Sequence, residues 1–275
     1  MSSCEDQAAW LAALAARGAQ APLRERVPLY WGAHLIGSVE PDYFSQIGLQ
    51  GSSILDELLL KEDDDGRVAW HLQGDATASL ARLAQTLRRG RVGRVAQQWR
   101  NEQLAIRDLQ GQVLATVERA IVRDLGIATR AVHLVGRSPD QRYWVQQRAL
   151  DKPNDPGQWD TLMGGMVTAS DTVQTALARE TLEEAGLSLD TLEQLRWCGQ
   201  LCVQKPASQD ADAGYVVEKI DWYDCIVPDT VLPVNQDGEV AQFLLLERTE
   251  LVDWLRRDQF TIEAALILVA ALGLR

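Results

Sequence analysis

The spacing of apolar residues in the first 125 positions predicts short strands and one clear helix. Apolar residues recur three and four positions apart between Asp75, which can cap the helix start, and Arg89, whose charge suits the helix end. Residues 8–16 are typical of an amphipathic helix. Strands are expected within 27–39, 53–72, 102–107 and 112–117, and short helices at 42–47 and 118–125. The segment 1–125 is therefore predicted to be a small α+β unit.

In the second part of the chain, 126–275, the pattern predicts strands and one well-defined helix. A helix is expected to begin near Ser170-Asp171 and to end before Gly186, because Ser or Asp caps a helix start and Gly adopts the left-handed conformation at its end. The boundary near Leu125-Gly126 rests on the change of pattern alone. Strands are predicted before that helix at 131–136 and 143–148.

The composition limits the classes of function. The 275 residues include 46% hydrophobic side chains, which is enough for a sizeable core and excludes a disordered chain. Asp and Glu number 39 against 27 Lys and Arg, so the formal net charge is −12. Such a protein repels phosphate backbones, so nucleic-acid binding is not expected. An anionic small substrate would need a bound cation as mediator.

The cysteines and apolar runs bear on location. Four cysteines at irregular spacing in a chain of this length do not indicate a disulfide framework, so a reducing cytoplasmic setting is expected. The start of the chain lacks the basic residues and cleavage pattern of a signal peptide. The longest apolar run, 264–274, is shorter than the roughly 18 residues of a membrane span, so no membrane association is expected.

The predicted helix before Gly186 carries a concentration of negative charge. Glu180, Glu183 and Glu184 are three and four positions apart, so we expect them on one face at the solvent. Mg²⁺ prefers such oxygen ligands and would remove the repulsion between them. The alternative is a solvated acidic face on which Arg179 and Glu183 form an ordinary ion pair. The opposite face, expected to pack on a sheet, is formed by Ala178, Thr181, Leu182 and Ala185.

The order of residues around these glutamates resembles the signature of the Nudix hydrolases. The signature is G-x5-E-x7-R-E-U-x-E-E-x-G-U, where U is apolar. Two positions depart from it: Asp171 replaces a glutamate, which would shorten a supporting ion pair, and Thr181 replaces an aliphatic residue. Six fixed positions match, namely Gly165, Arg179, Glu180, Glu183, Glu184 and Gly186.

The resemblance implies a Nudix α/β/α sandwich with a mixed sheet, preceded here by the smaller α+β domain, and a hydrolase or pyrophosphatase activity on a diphosphate linked to another moiety. It also implies that Glu180, Glu183 and Glu184 bind Mg²⁺ or Mn²⁺ and that Arg179 orients them. The metal would neutralise phosphate oxygens and activate a water molecule. Glu239 is a candidate proton acceptor, with a turn acid of no catalytic part as the alternative.

Residues upstream of the acidic helix complete the candidate site. Arg148 and Lys152 could pair with substrate phosphate, or be exposed loop charges. Trp159 could stack on a substrate ring, or belong to the core. The full set of candidate substrate-binding residues is Arg148, Lys152, Trp159, Gly164 and Gly165.

The resemblance extends to a Nudix subgroup associated with thiamine pyrophosphokinase, which carries an N-terminal accessory domain. It rests on Lys152-Pro153, Pro156-Gly157, Trp159-Asp160 and the 233–243 segment. It implies thiamine diphosphate or its oxidised derivatives as substrate. The alternatives are nucleoside diphosphate derivatives, such as ADP-ribose, a nucleotide sugar or an 8-oxo-purine diphosphate, and a non-catalytic binding module. A homodimer is compatible with the sequence.

Overall fold

Strands and two longer helices form most of the first part of the computed structural model, which describes residues 2–46, 56–89, 93–208 and 214–274. The chain begins with helix α1 (Ser2–Arg17). The predicted 27–39 stretch folds into two strands because Gly32 has a φ of +55° and turns the chain between them. The strands are β1 (Val27–Trp31), β2 (His34–Val39), β3 (Leu58–Glu62) and β4 (Val68–Leu72). They form one sheet in the order β2-β1-β4-β3.

The remaining elements of this part cover and extend that sheet. Asp75 accepts a hydrogen bond from the Ala78 amide at 2.8 Å, which confirms it as the cap of the predicted helix. The apolar positions of that helix are buried in the core of the first part. Predicted element positions 47 and 53–55 lie outside the described residues. The elements are α2 (Tyr43–Gln46), α3 (Ala76–Arg89), α4 (Gly93–Gln97) and the hairpin of β5 (Gln103–Arg107) with β6 (Val113–Glu118).

The helix predicted at 118–125 is wrong. Strand β6 continues through Glu118, and only a short 3-10 helix (Arg119–Ile121) follows it. The next residues form turns, in which the Ile127 amide bonds to the Val122 carbonyl at 2.9 Å. Gly126 has a φ of +51°, so a right-handed helix cannot continue through it.

A mixed sheet forms the centre of the second part. Its path is β11-β12-β7-β8-β13, with β10 paired to β7 and β9 paired to β8. Strands β7 and β12 run parallel, whereas the other pairs are antiparallel. The strands, introduced in chain order, are β7 (Thr129–Arg137), β8 (Tyr143–Arg148), β9 (Trp159–Asp160), β10 (Met163–Met166), β11 (Glu193–Pro206), β12 (Tyr215–Ile226) and β13 (Val240–Leu246).

Helices cover both faces of this sheet. Alternate residues of β7 point to opposite sides, so Val132 and Leu134 pack with helix α5 (Val173–Ala185), while Ala131 and Val135 pack with the C-terminal helices. Those helices are α6 (Arg248–Arg256) and α7 (Ile262–Ala271). A short 3-10 helix (Leu189–Thr191) follows α5. The predicted α/β class with three layers is therefore confirmed.

The two parts of the chain meet at residues 123–125, which are held by hydrogen bonds. Within the first part, the Arg26 guanidinium donates to the Asp124 carbonyl at 2.6 Å and the Ser38 amide donates to the Leu125 carbonyl at 2.8 Å, which holds the end of this part in place. From the other side, the Tyr215 amide donates to the Arg123 carbonyl at 2.8 Å. Helix α1 also contacts the second part, since Leu14 is buried with residues of α7. The division at 125/126 stays a prediction.

None of the described helices has both the length and the apolar character needed to cross a membrane.

Candidate active site

Helix α5 carries the acidic cluster, and its start differs from the prediction. The N-cap is Thr172, whose hydroxyl accepts from the Thr175 amide at 3.1 Å, while the Thr175 hydroxyl accepts from the Thr172 amide at 2.9 Å. Asp171 does not cap the helix because its carboxylate bonds to Thr168 and Arg179. Gly186 ends the helix with a φ of +65°, as predicted.

The three glutamates of α5 do not share a solvent face, and that prediction is wrong. Glu184 is only 4% exposed, whereas Glu183 points to solvent. Positions 180 and 184 are one helical turn apart, so both side chains point toward strand β10. Glu183 lies about 100° from Glu184 around the helix axis, so its side chain leaves the helix in another direction. The predicted packing face is also partly wrong: Thr181 and Ala185 are buried, but Ala178 and Leu182 are exposed.

Arg179 connects the helix to the loop before it. Its Nη2 lies 2.8 Å from Asp171 Oδ2 and donates to the Met166 carbonyl at 3.1 Å. Its Nη1 lies 2.9 Å from Glu180 Oε1 and 3.0 Å from Glu183 Oε2. Burial works against the charge, but these carboxylates raise the pKa of Arg179 above its usual value. The guanidinium therefore stays charged and positions the residues around it.

The Gly164-Gly165 pair of β10 lets the glutamates approach the strand. A methyl group at Gly165 would overlap the Glu180 carboxyl group, and one at Gly164 would overlap the His133 ring. The Gly164 amide donates to Glu184 Oε2 at 3.1 Å, and Gln146 Nε2 donates to the same oxygen at 2.8 Å. A side chain at Gly165 would therefore displace Glu180, and one at Gly164 would displace His133.

Burial changes the protonation of the two inward-facing glutamates. It raises the pKa of Glu184 to about 8, and the nearby Glu180 charge adds to that effect. Burial also raises the pKa of Glu180, although Arg179 opposes the change. Two acids held together at low exposure favour a positively charged species between or beside them.

Lys152 and Glu239 lie together at the wall of the same cavity, where they form an ion pair. Burial would raise the pKa of Glu239, but the Lys152 ammonium lowers it below its ordinary value. Arg148 Nη2 donates to the Asn154 carbonyl at 3.0 Å, and its Nη1 lies 3.6 Å from Asp160 Oδ2. Neither cation is a free loop charge.

Trp159 does not line the cavity. Its side chain is 7% exposed, belongs to the core that contains α6 and α7, and packs against Trp254 with ring centroids 5.0 Å apart. The structure thus places it in the core, which was the alternative interpretation, and leaves no ring face on which a substrate could stack.

A cavity of about 770 Å³ brings most of the candidates together. Further residues of its wall or of its hydrogen-bond network were not among the sequence candidates, and Gln146, His133, Arg123 and Glu218 are four of them. Gln146 has a weak sequence signal, since it is a polar residue two positions before Arg148 on a buried strand. His133 is buried, with its Nδ1 3.0 Å from Thr161 Oγ1, and it also lines the cavity. The other two of the four are Arg123 and Glu218, whose positions become evident only in the fold. The predicted residues at the cavity wall are Arg148, Lys152, Gly164, Gly165, Glu180, Glu184 and Glu239.

Comparison with known proteins decides the family. A family model described as NUDIX domain matches residues 128–267, which is half of the chain. The chain belongs to the NUDIX domain family. Its α5 helix, with the preceding Gly164-Gly165 strand, is the segment that carries the Nudix signature.

Several known proteins are similar to part of this chain. An uncharacterized protein of Saccharomyces cerevisiae, YJR142W, is 27% identical over 187 residues, which are 62% of this chain and 54% of that protein. Nudix hydrolase 24, chloroplastic, of Arabidopsis thaliana is 28% identical over 53% of this chain and 40% of its own length. The chain spans about half the length of the curated relatives it matches. A solved structure from Deinococcus radiodurans, DR0079, is 18% identical with a TM-score of 0.49, covering 62% of this chain and 99% of that one.

Nudix hydrolases use divalent metals such as Mg²⁺ or Mn²⁺, and the acids of α5 are suitable in kind. In the part of the chain that the structure describes, no three His, Cys, Asp or Glu side chains are already arranged around one ion position. Glu183 instead bonds to Arg179, which also holds Glu180. Glu180 and Glu184 line the cavity, and the raised pKa of Glu184 marks a buried carboxyl group that a cation would stabilise as the carboxylate. The donor set therefore fits a hard divalent cation.

Proposed function

We propose that this protein is a divalent-metal-dependent Nudix pyrophosphohydrolase, which hydrolyses a diphosphate linked to another moiety. The observation that carries the proposal is the placement of Glu180 and Glu184 in the wall of one cavity that also contains Lys152 and Arg148. Carboxylates for a metal and cations for phosphate are the two requirements of metal-assisted phosphoanhydride cleavage. Family membership supports the same reaction class.

Each side chain has a role in this proposal. Glu180 and Glu184 would hold Mg²⁺ or Mn²⁺, joined by Glu183 after it leaves Arg179. The bound metal would supply neutralisation of phosphate charge and a water molecule of lowered pKa. Arg179 keeps the acids oriented through Asp171 and the Met166 carbonyl.

Glu239 is the proposed proton acceptor. Its Lys152 partner keeps it ionised, so it is able to accept a proton, and it lines the cavity. A substrate phosphate would compete with Glu239 for the Lys152 ammonium, since both are anions. Binding of the substrate would therefore release the Glu239 carboxylate at the stage at which a proton must be taken up.

Thiamine diphosphate, or an oxidised derivative of it, is the proposed substrate. The support comes from the resemblance of residues 152–160 and 233–243 to the thiamine-pyrophosphokinase-associated subgroup, together with the α+β unit before the Nudix domain. The division into an accessory domain at 1–125 and a Nudix domain at 126–275 belongs to this same proposal.

The test is hydrolysis in the presence of Mg²⁺ by wild type and by Glu184→Gln, with the phosphate or phosphomonoester products of each compound separated and measured by chromatography. The panel comprises thiamine diphosphate, its oxidised derivatives, ADP-ribose, a nucleotide sugar and 8-oxo-purine nucleoside diphosphates. We expect turnover of the thiamine class, with a loss of at least about 100-fold in Glu184→Gln or without metal. Preferred turnover of a nucleotide would reject thiamine diphosphate and its derivatives as the substrate. Binding of a compound without turnover of any of them would favour a non-catalytic binding module.

Location and assembly are also proposals. The described cysteines, Cys198, Cys202 and Cys225, are free thiols, which supports the cytoplasm. We propose a homodimer as the assembly, and light scattering after gel filtration would measure the mass against 30.5 kDa for one chain.

A further inference from the structure

A loop between β8 and β9 contacts both parts of the chain at the cavity. Asn154 lies in this loop, and its side-chain oxygen accepts from Arg123 Nη1 at 2.6 Å. Its main-chain carbonyl accepts from Arg148 Nε at 3.3 Å and from Arg148 Nη2 at 3.0 Å. One asparagine thus connects two arginines that come from different parts of the chain, and both arginines line the cavity.

Arg123 is fixed in place rather than carried on a linker. Its carbonyl accepts from the Tyr215 amide at 2.8 Å, and the neighbouring Asp124 carbonyl accepts from Arg26 at 2.6 Å. Gly214 passes so close to the Arg123 carbonyl that a Cβ would lie 2.6 Å from it. The guanidinium is therefore presented to the cavity from a rigid backbone, which lowers the entropy cost of using it in binding.

The charge of Arg123 is only partly compensated. A guanidinium has five N–H donors, and the bond to Asn154 uses one of them. Glu218 is a nearby acid in the same cavity, but burial and the Glu263 charge raise its pKa, so it compensates a cation less than an ordinary glutamate would. Burial lowers the pKa of Arg123, and the Arg119 charge adds to this. The acids that oppose this change in pKa are Glu218, Glu263 and Asp155. Their charges do not fully offset the effect, so a further anion would stabilise the guanidinium.

We propose that Arg123 and Arg148 form a two-arginine cradle for the diphosphate group of the substrate, and that Asn154 holds both guanidinium groups in position. Arg123 precedes the matched Nudix region, which begins at residue 128, so the preceding segment completes the binding site. Planar guanidinium groups suit phosphate because each can donate two parallel hydrogen bonds. The choice of ligand rests on the proposed hydrolase function.

The test measures binding of methylenediphosphonate, which cannot be hydrolysed at its P–C–P bridge, to the full chain in Mg²⁺ by calorimetry. We expect Arg123→Lys to raise Kd about tenfold, because the compact ammonium lacks the planar fork of donors with which the guanidinium bonds to Asn154 and to phosphate. Asn154→Ala should raise Kd about fivefold or more. The Kd of the double variant should exceed the larger of the two single-variant Kd values by no more than about twofold, since both changes disturb one cradle.

A matched control and kinetics separate the cradle from a general structural role. Arg107 belongs to the same preceding segment, bonds to the Gly111 carbonyl and does not line this cavity. Arg107→Lys should leave Kd within about twofold of wild type. With a substrate that is turned over, Arg123→Lys should raise KM about tenfold and change kcat less than about threefold, since it removes binding rather than chemistry.

The outcomes are distinct. A folded Arg123→Lys protein that binds methylenediphosphonate as wild type does would overturn the cradle, as would a wild type that does not bind it. A wild type that binds the diphosphonate through Arg123 but hydrolyses no diphosphate would overturn the hydrolase and leave the cradle standing. If the variants instead show a lower kcat and a lower thermal stability together with the higher KM, the role of these residues is structural.

Discussion

Asp171 shows how one residue departs from the Nudix signature without losing its contact. Its side chain is one methylene shorter than the glutamate of the family, yet its Oδ2 lies 2.8 Å from Arg179 Nη2. Burial would raise the pKa of Asp171, but hydrogen bonds from Arg179 and Thr168 lower it below the ordinary value. The carboxylate therefore stabilises the folded state while it is ionised.

Removing the charge of Asp171 should destabilise the protein. In Asp171→Asn, the partly buried Arg179 loses its closest carboxylate, so we expect the free energy of unfolding at pH 7 to fall by about 2 kcal/mol. Urea denaturation measures this value. Asp171→Glu restores the signature and should stay within about 1 kcal/mol of wild type. The exposed Asp190 serves as control, and an equal loss in Asp190→Asn would contradict the role of the ion pair.

Helix α5 is the element on which the site depends, and its first turn is stabilised by two threonines. Thr172→Ala removes the hydroxyl that accepts from the Thr175 amide, so we expect a loss of about 1 kcal/mol in unfolding free energy. Ser188 offers a matched control, because it is the N-cap of a 3-10 helix but makes no side-chain cap bond. Ser188→Ala should change stability by less than about 0.5 kcal/mol, and an equal effect at both positions in thermal melts would reject the cap.

Element by element, the sequence predicts what local patterns determine. Strand β8 (Tyr143–Arg148) and the end of α5 at Gly186 agree with the predictions because alternation and a left-handed glycine act locally. The predicted helix at 118–125 fails because contacts across the junction, not propensity, set those turns. Trp159 is buried by α6, which lies almost a hundred residues later in the chain. A contact between residues so far apart in the chain cannot be predicted from residue spacing.

The faces of α5 illustrate the same limit. Helical spacing groups the three glutamates, but it cannot say which of them meets the rest of the protein. The Gly164 amide and Gln146 draw Glu184 into the interior, and Arg179 keeps Glu183 outside. Arg123 enters the cavity only because the two parts of the chain meet there. The signature thus predicts the chemical types at the site, and the tertiary contacts determine their exposure and protonation.

At the scale of the whole molecule, the buried acid of the site should make stability depend on pH. The folded state raises the pKa of Glu184 from an ordinary 4.5 to about 8. The folded protein therefore binds a proton at this position that the unfolded chain has released. Its contribution to stability is complete below the ordinary pKa and is lost as the pH rises through about 8.

Between about pH 5 and about pH 8, this linkage corresponds to a loss on the order of 4 kcal/mol in the metal-free protein. We expect Glu184→Gln to remove that part of the slope, because its amide does not titrate, and urea denaturation in EDTA at several pH values compares the two proteins. Mg²⁺ should stabilise wild type more at pH 8 than at pH 6, since the metal binds the carboxylate and must displace the proton at lower pH. The variant should gain much less stability from Mg²⁺ at either pH.

Two results would contradict this prediction. If the free energies of unfolding of wild type and Glu184→Gln in EDTA change in parallel with pH, this carboxyl group is ionised without metal. If Mg²⁺ raises the free energy of unfolding of both proteins equally, the ion binds elsewhere.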